Sequence, residues 1–230
     1  MKIYDTKLMS EELFTKFTHL PYKCTRTDEL PLENGDIPLG GMYWTHQFYN
    51  FVPKSSPDYY QDAGIEGSDD PLYLDVLEYL EAYIPDFPPR KNLYASYVNV
   101  LRYGNNPGIH VDAPSFVPDN KTVLVYLNAY WHPDFAGETV FFNHEMDACK
   151  LVAPRPGRVV IFDGRIPHTG RPPSSRFMYN RYVLAYKYMD PDARQEIFDA
   201  TEVNKEPIPI QQNVIGFDSN TVKEIWKSLA

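Results

Sequence analysis

A chain of 230 residues that is 43% hydrophobic and 23% charged can bury about 70–75% of its unfolded surface, so a core needs no disulfide or structural metal. The formal net charge of −9 and a pI near 5.1 argue against a nucleic-acid partner, whose affinity depends on clustered Lys and Arg. Aromatic residues reach 15%, and there are 21 prolines, which favours strands and loops over a helical bundle.

The opening stretch, MKIYDTKLMSEELF, lacks the basic segment and uninterrupted apolar core of a secretory signal. Apolar runs such as Val123–Leu127 and Val159–Phe162 are too short to span a bilayer. Cys24 and Cys149 stand alone, without CxxC spacing, and read as two reduced thiols. The expectation is a cytoplasmic protein with no membrane or nucleic-acid partner; nothing in the sequence speaks to its oligomeric state.

In chain order, Ser10 caps a short amphipathic helix over Glu11–Phe17 that must stop before Pro21. Met42–Phe51 is aromatic-rich and strand-like, and Val52–Asp70 is a long loop without periodicity. Asp70-Pro71 is a helix start, with an N-cap acid followed by proline at the first helical position. Tyr73, Val76, Leu77, Leu80 and Ile84 then follow a 3.6-residue period, predicting one buried stripe before Pro85 ends the helix.

From Leu93 the pattern changes to short β-runs at about Leu93–Tyr103, Ile109–Asp112, Thr122–Asn128, Glu138–Phe142, Ala148–Val152, Gly157–Phe162 and Asn180–Tyr188. Six or seven antiparallel strands without intervening helices predict a jelly roll or related double-sheet barrel. A short helix over Ala193–Ala200, an extended Pro-containing segment and a last helix from about Thr221 complete the chain. The expected organisation is a single domain: residues 1–92 as N-terminal support, 93–188 as a β core, and 189–230 as a helical extension.

Among six histidines, His110-Val111-Asp112 is the informative triplet. On a strand, residues i and i+2 share a face, so His110 and Asp112 would converge while Val111 packs behind them. His168, delivered by the end of the buried run Gly157–Phe162, supplies a second imidazole. Two imidazoles and one carboxylate can hold Fe(II) by one triangular face and leave the remaining positions open. Thirteen residues further on, Arg181 shares a strand face with Val183 and Ala185. A guanidinium beside small side chains can grip a carboxylate with two parallel hydrogen bonds and leave room for its carbon chain.

The ordered series RYG–P–HxD, Thr122–Asn128, Gly137-Glu138-Thr139, PxxGRVVxF, His168 and Arg181-Tyr182 resembles the prolyl-4-hydroxylase-like branch of the Fe(II)/2-oxoglutarate-dependent dioxygenases. The resemblance runs from about Leu93 to Tyr188 and implies a distorted double-stranded β-helix (a jelly-roll or cupin-like core). It assigns His110, Asp112 and His168 as iron ligands, Arg181 to the distal carboxylate of 2-oxoglutarate, Tyr126 to that same carboxylate, and Tyr103 to the pocket. The implied cofactors are Fe(II), 2-oxoglutarate and O2, and the implied substrate is a small molecule or a peptide. The reaction would oxidise a peptidyl or free amino acid, proline included, or a small metabolite, releasing succinate and CO2. Halogenating relatives carry a small residue at the carboxylate position, so Asp112 favours hydroxylation, with desaturation and ring closure left open. The alternative is a cupin-like barrel that uses the same ligands for an isomerase or merely binds a small molecule. Such a barrel has no need of Arg181.

Overall fold

A computed structural model describes residues 1–26, 42–50, 70–105, 107–113, 117 and 119–193. The loop expected at 52–70 (apart from Asp70), the helix expected at 193–200 beyond its first residue, and the helix expected from Thr221 lie outside the described residues.

Among the described residues, ten strands form two sheets. In chain order the elements are β1 (Lys2–Asp5), α1 (Glu11–Thr18), β2 (Lys23–Arg26), β3 (Met42–Asn50), α2 (Pro71–Tyr83), β4 (Leu93–Leu101), β5 (Lys121–Tyr126), β6 (Thr139–Phe142), β7 (Ala148–Val152), β8 (Arg158–Phe162), β9 (His168–Gly170) and β10 (Arg181–Tyr188). The larger sheet runs β1-β8-β5-β10-β4-β3-β2, and the smaller runs β7-β6-β9. An isolated antiparallel bridge between His110 and His168 adds the His110 segment to the free edge of β9. From β4 onward the chain visits the large sheet, the His110 bridge, the large sheet, β6 and β7, then alternates large, small, large. That winding of four strands over four is a double-stranded β-helix.

Strand parity explains why two layers form on the large sheet. On β10, Tyr182, Leu184, Tyr186 and Tyr188 join an outer cluster with Val98, Val123, Val125 and Val159. The helices cover that face: Phe17 of α1 and Tyr73, Val76, Leu77 and Leu80 of α2 are buried there. Burying each aliphatic side chain contributes about 1.5–3 kcal/mol, so α2 is held by its stripe rather than by helix propensity alone. The capping expectations hold for both helices. The Ser10 side chain accepts a hydrogen bond from the Leu13 N–H at 3.1 Å, and the Asp70 carboxylate accepts one from the Leu72 N–H at 2.8 Å. On the opposite face of β10, Val183 and Ala185 meet Leu124, Tyr126, Val160, Phe162, Phe141 and Ile166. Those residues come from both sheets and form the interior of the barrel.

The strand expected at Ile109–Asp112 is reduced to the single bridge at His110, and Asp112 sits in a bend. Three strands were not expected. β1 exists because it pairs with β8 (Lys2 opposite Ile161), β2 because it pairs with β3, and β9 because it pairs with β6.

Candidate active site

The His110–His168 bridge is reciprocal: the His110 N–H donates to the His168 carbonyl at 3.0 Å, and the His168 N–H donates to the His110 carbonyl at 2.9 Å. Residues that exchange both hydrogen bonds in an antiparallel pair project their side chains to the same face. Their ring centroids lie 4.5 Å apart. Thr169 anchors the approach to His110 by donating to the Pro107 carbonyl at 2.8 Å.

Asp112 reaches the same point by another route. Its N–H donates to the Gly164 carbonyl at 2.7 Å, which bends the chain out of the bridge and turns the carboxylate inward. Position 164 must be glycine for this approach. A Cβ there would lie 2.5 Å from Asn120 Oδ1 and 3.1 Å from the Asp112 Cβ.

The ring nitrogens are sorted by their partners. Nδ1 of His110 lies 3.1 Å from the Gly108 carbonyl, and Nδ1 of His168 lies 2.9 Å from the Ile166 carbonyl. A carbonyl only accepts, so each Nδ1 carries the proton and each Nε2 presents a lone pair. Both lone pairs face Asp112: His110 Nε2 is 3.6 Å from Oδ1, and His168 Nε2 is 3.4 Å from Oδ2. The three ligand atoms lie within 4.8 Å of one another. Three donors on one face of an octahedral ion, with bonds of about 2.1 Å, sit roughly 3 Å apart. The donor set therefore fits a divalent first-row ion with only small adjustment, and the carbonyl-bonded Nδ1 atoms are the outer support that such ligands need.

Electrostatics agree with ligation. Burial pushes the His168 imidazole down to about 3, so at neutral pH it is the neutral ligand form. Burial alone would raise the Asp112 carboxyl, but the Lys187 ammonium and the two imidazoles more than offset it and hold the group well below the usual carboxylate range. Thr122 Oγ1 donates to Asp112 Oδ2 at 2.6 Å. Lys187, 6% exposed, is ion-paired with Asp112 Oδ1. His168 and Asp112 are buried, whereas the His110 side chain is 45% exposed, so the triad opens to solvent on the His110 side.

At the other end of β10, Arg181 is 3% exposed. Its Nε donates to the Gly137 carbonyl at 2.6 Å and its Nη2 to Thr139 Oγ1 at 2.9 Å. The Tyr126 hydroxyl donates to that same Thr139 oxygen at 2.7 Å, and the guanidinium carbon stands 5.4 Å from the Tyr126 ring centroid. Gly137, at φ +81°, permits this packing, since a Cβ would lie 2.7 Å from the Trp131 ring. Burial draws the Arg181 guanidinium down from its ordinary value, yet arginine stays charged at neutral pH. Among the described residues it has no ion-paired carboxylate. Three of its five N–H groups remain for a ligand, and a buried cation without a counter-ion is a site for an anion.

The expected residues thus divide. His110, Asp112 and His168 converge, and Arg181 and Tyr126 form a second group on the barrel interior. Tyr103 lies on the turn after β4 and is 66% exposed, outside both groups. The sequence reading missed Thr122, Thr139 and Lys187. Thr139 stands in the Gly137-Glu138-Thr139 run already singled out, and Lys187 is the next same-face position after Ala185, so parity alone reaches it.

Residues 98–187 match the model of a family described as the 2OG-Fe(II) oxygenase superfamily. No curated protein matches the chain. Among solved structures, a Trichoplax adhaerens prolyl hydroxylase in complex with a hypoxia inducible factor peptide fragment is 15% identical, with 85% of this chain and 86% of that one covered and a TM-score of 0.49. A Burkholderia pseudomallei 2OG-Fe(II) oxygenase family oxidoreductase is 16% identical over 75% and 74% of the two chains, with a TM-score of 0.44. A Pseudomonas putida prolyl-4-hydroxylase is 20% identical over 64% and 71%, with a TM-score of 0.40. The matched segment spans β4 to β10 and contains both groups of site residues. It is similar to the oxidoreductase domains of that superfamily, whose cofactors are Fe(II), 2-oxoglutarate and O2, and the His110–Asp112–His168 set is compatible with iron.

Proposed function

We propose that this chain, whose residues 98–187 match the 2OG-Fe(II) oxygenase superfamily, hydroxylates a carbon–hydrogen bond of a free or peptidyl amino acid or a small metabolite. Oxidative decarboxylation of 2-oxoglutarate to succinate and CO2 accompanies the oxidation, with one atom of O2 entering succinate and the other the product. The observation that carries the reading is the pairing of a His110–Asp112–His168 donor set with a buried, counter-ion-free Arg181 on the interior of the same barrel.

In this reading His110, Asp112 and His168 hold the metal, which when bound supplies the redox chemistry and activates O2. The carbonyls of Gly108 and Ile166 fix the imidazole orientations, and Thr122 fixes the carboxylate. Arg181 takes the distal carboxylate of 2-oxoglutarate through its free N–H groups. Thr139 accepts from both Arg181 and Tyr126, so its own hydroxyl proton is free to donate to the same carboxylate. Leu124, Val183 and Ala185 form the apolar wall beside the carbon chain and exclude water from it. A non-oxygenase cupin would leave the Arg181 charge buried without a role.

The test is anaerobic addition of Fe(II) and 2-oxoglutarate to purified protein. The expected result is a visible metal-to-ligand absorption band, followed by succinate release when O2 and a substrate panel are admitted. No band, and no succinate with any substrate, would remove the reading.

A further inference from the structure

Lys187 has no task in the scheme above, although it is a buried ammonium beside a metal ligand. It projects from β10 on the face shared by Val183 and Ala185, with its Nζ 5.8 Å from the centroid of the Tyr97 ring. In the structure its counter-ion is Asp112. A divalent ion at the triad would draw on that same carboxylate, leaving Lys187 without full compensation. Counting formal charges, Asp112 contributes one negative charge, Lys187 and Arg181 one positive each, and a divalent ion two positive. A 2-oxoglutarate dianion then still leaves one positive charge in excess, next to the largely buried Lys187. Buried charge left unpaired is among the most costly arrangements a protein can hold. Among the described residues no other carboxylate ion-pairs with Lys187 or Arg181, and Glu138 acts on Arg181 only from a distance. Asp163 is paired with Arg165 at 2.7 Å, and Glu138 forms no ion pair among the described residues.

We propose, resting on the oxygenase reading, that Lys187 selects a substrate that carries a carboxylate, and that its ammonium pairs with that group on the molecule being oxidised. β4 supplies a second contact. Tyr97 and Asn99 face the interior opposite Ala185 and Val183, on the same side of the sheet as Lys187. The Asn99 amide oxygen is buried with no hydrogen-bond partner, which makes it an acceptor for an N–H. A cation and an orphan acceptor on one face suit an amino acid held by its carboxylate and its amino group. The carboxylate is a positioning contact, and the C–H bond near it faces the metal side of the site.

The test is anaerobic titration of the Fe(II)- and 2-oxoglutarate-loaded protein, following the visible band and the heat of binding. The probes are free L-amino acids and short straight-chain carboxylic acids, each beside its carboxamide. Wild-type protein is expected to bind at least one acid about tenfold or more tightly than its amide, as expected for one charge-assisted contact. Lys187→Met should erase that preference and Lys187→Arg should keep part of it, while 2-oxoglutarate affinity stays within about threefold. N-acetylated dipeptides with a free C-terminus and capped Asp or Glu amides show whether the carboxylate comes from a free acid, a chain end or a side chain. Equal affinity for acids and amides, or no binding of any acid, overturns the assignment. So does a loss of 2-oxoglutarate affinity in Lys187→Met that matches the loss for the probe, because Lys187 would then serve the cosubstrate. The acid–amide comparison uses wild-type protein, so it stands even if a variant folds poorly. If the Fe(II)–2-oxoglutarate band never forms, the oxygenase reading falls as well; a band without acid preference removes the Lys187 assignment alone.

Discussion

Replacing Arg181 with methionine separates the two halves of the site. The guanidinium uses Nε on the Gly137 carbonyl at 2.6 Å and one Nη2 proton on Thr139 at 2.9 Å, leaving three N–H groups for a carboxylate. Two parallel charge-assisted hydrogen bonds are worth about 1.5–3 kcal/mol each. The weaker end of that range already corresponds to roughly a hundredfold in affinity. Methionine keeps much of the volume and removes all five donors, so the Kd for 2-oxoglutarate should rise by about a hundredfold or more. Metal affinity depends on His110, Asp112 and His168, none of which hydrogen-bonds Arg181, and should change by less than about threefold. The variant also orphans the Gly137 carbonyl, at a cost to stability of about 1–3 kcal/mol, which a chain of this size shows as a fall in Tm of a few degrees. Anaerobic titration of the visible band gives the first Kd, and competition with a chromogenic chelator gives the second. Equal loss of both affinities, or unchanged 2-oxoglutarate binding in a folded variant, would refute the assignment. Arg181→Lys should fall between, since lysine restores the charge without the fork.

Thr122→Val removes the 2.6 Å hydrogen bond to Asp112 Oδ2 at nearly constant volume and should weaken metal binding about 10–100-fold, read by the same chelator competition; unchanged affinity would show that Asp112 needs no such support. In metal-free protein, acid should destabilise the fold from about pH 6.5 downward, because His168 titrates at about 3 when folded and near 6.5 when unfolded. The unfolded chain binds the extra proton over that window, so stability falls as pH drops, and Asp112, also held below its ordinary value, adds to the fall at the acid end. Urea unfolding between pH 7 and pH 4 should show several kcal/mol lost in wild type and a flatter profile in His168→Gln.

Features set by neighbours in sequence were legible, and those set by distant pairing were not. Asp70-Pro71 and the stripe from Tyr73 to Leu80 encode α2 locally, and Ser10 encodes the start of α1. The barrel interior followed from alternation along β10, because a period of two needs no knowledge of the partner strand. β1 is different. Lys2–Asp5 alternates weakly and becomes a strand only by pairing with the edge of β8, more than 150 residues away. β9 has three residues and gains its hydrogen bonds from β6 and the His110 bridge, so no local pattern announces it.

The triad converges by a geometry other than the one its spacing predicts. Same-face parity within one strand placed His110 and Asp112 together, but Asp112 arrives by a bend against the Gly164 carbonyl. The imidazole that truly shares a ladder position with His110 is His168. Convergence of the three therefore depends on two long-range contacts, the bridge and the close approach at glycine 164, rather than on the spacing within the triplet. The same parity rule, carried one step further along β10 from Ala185, meets Lys187. A charged residue there breaks an otherwise apolar interior strand face that begins at Arg181. Sequences violate their own patterning most often where function requires it. Arg181 and Lys187 are the two violations on this face, one at each end. The first has the chemistry of a cosubstrate anchor, and the charge left over once that anchor is filled is what gives the second its meaning.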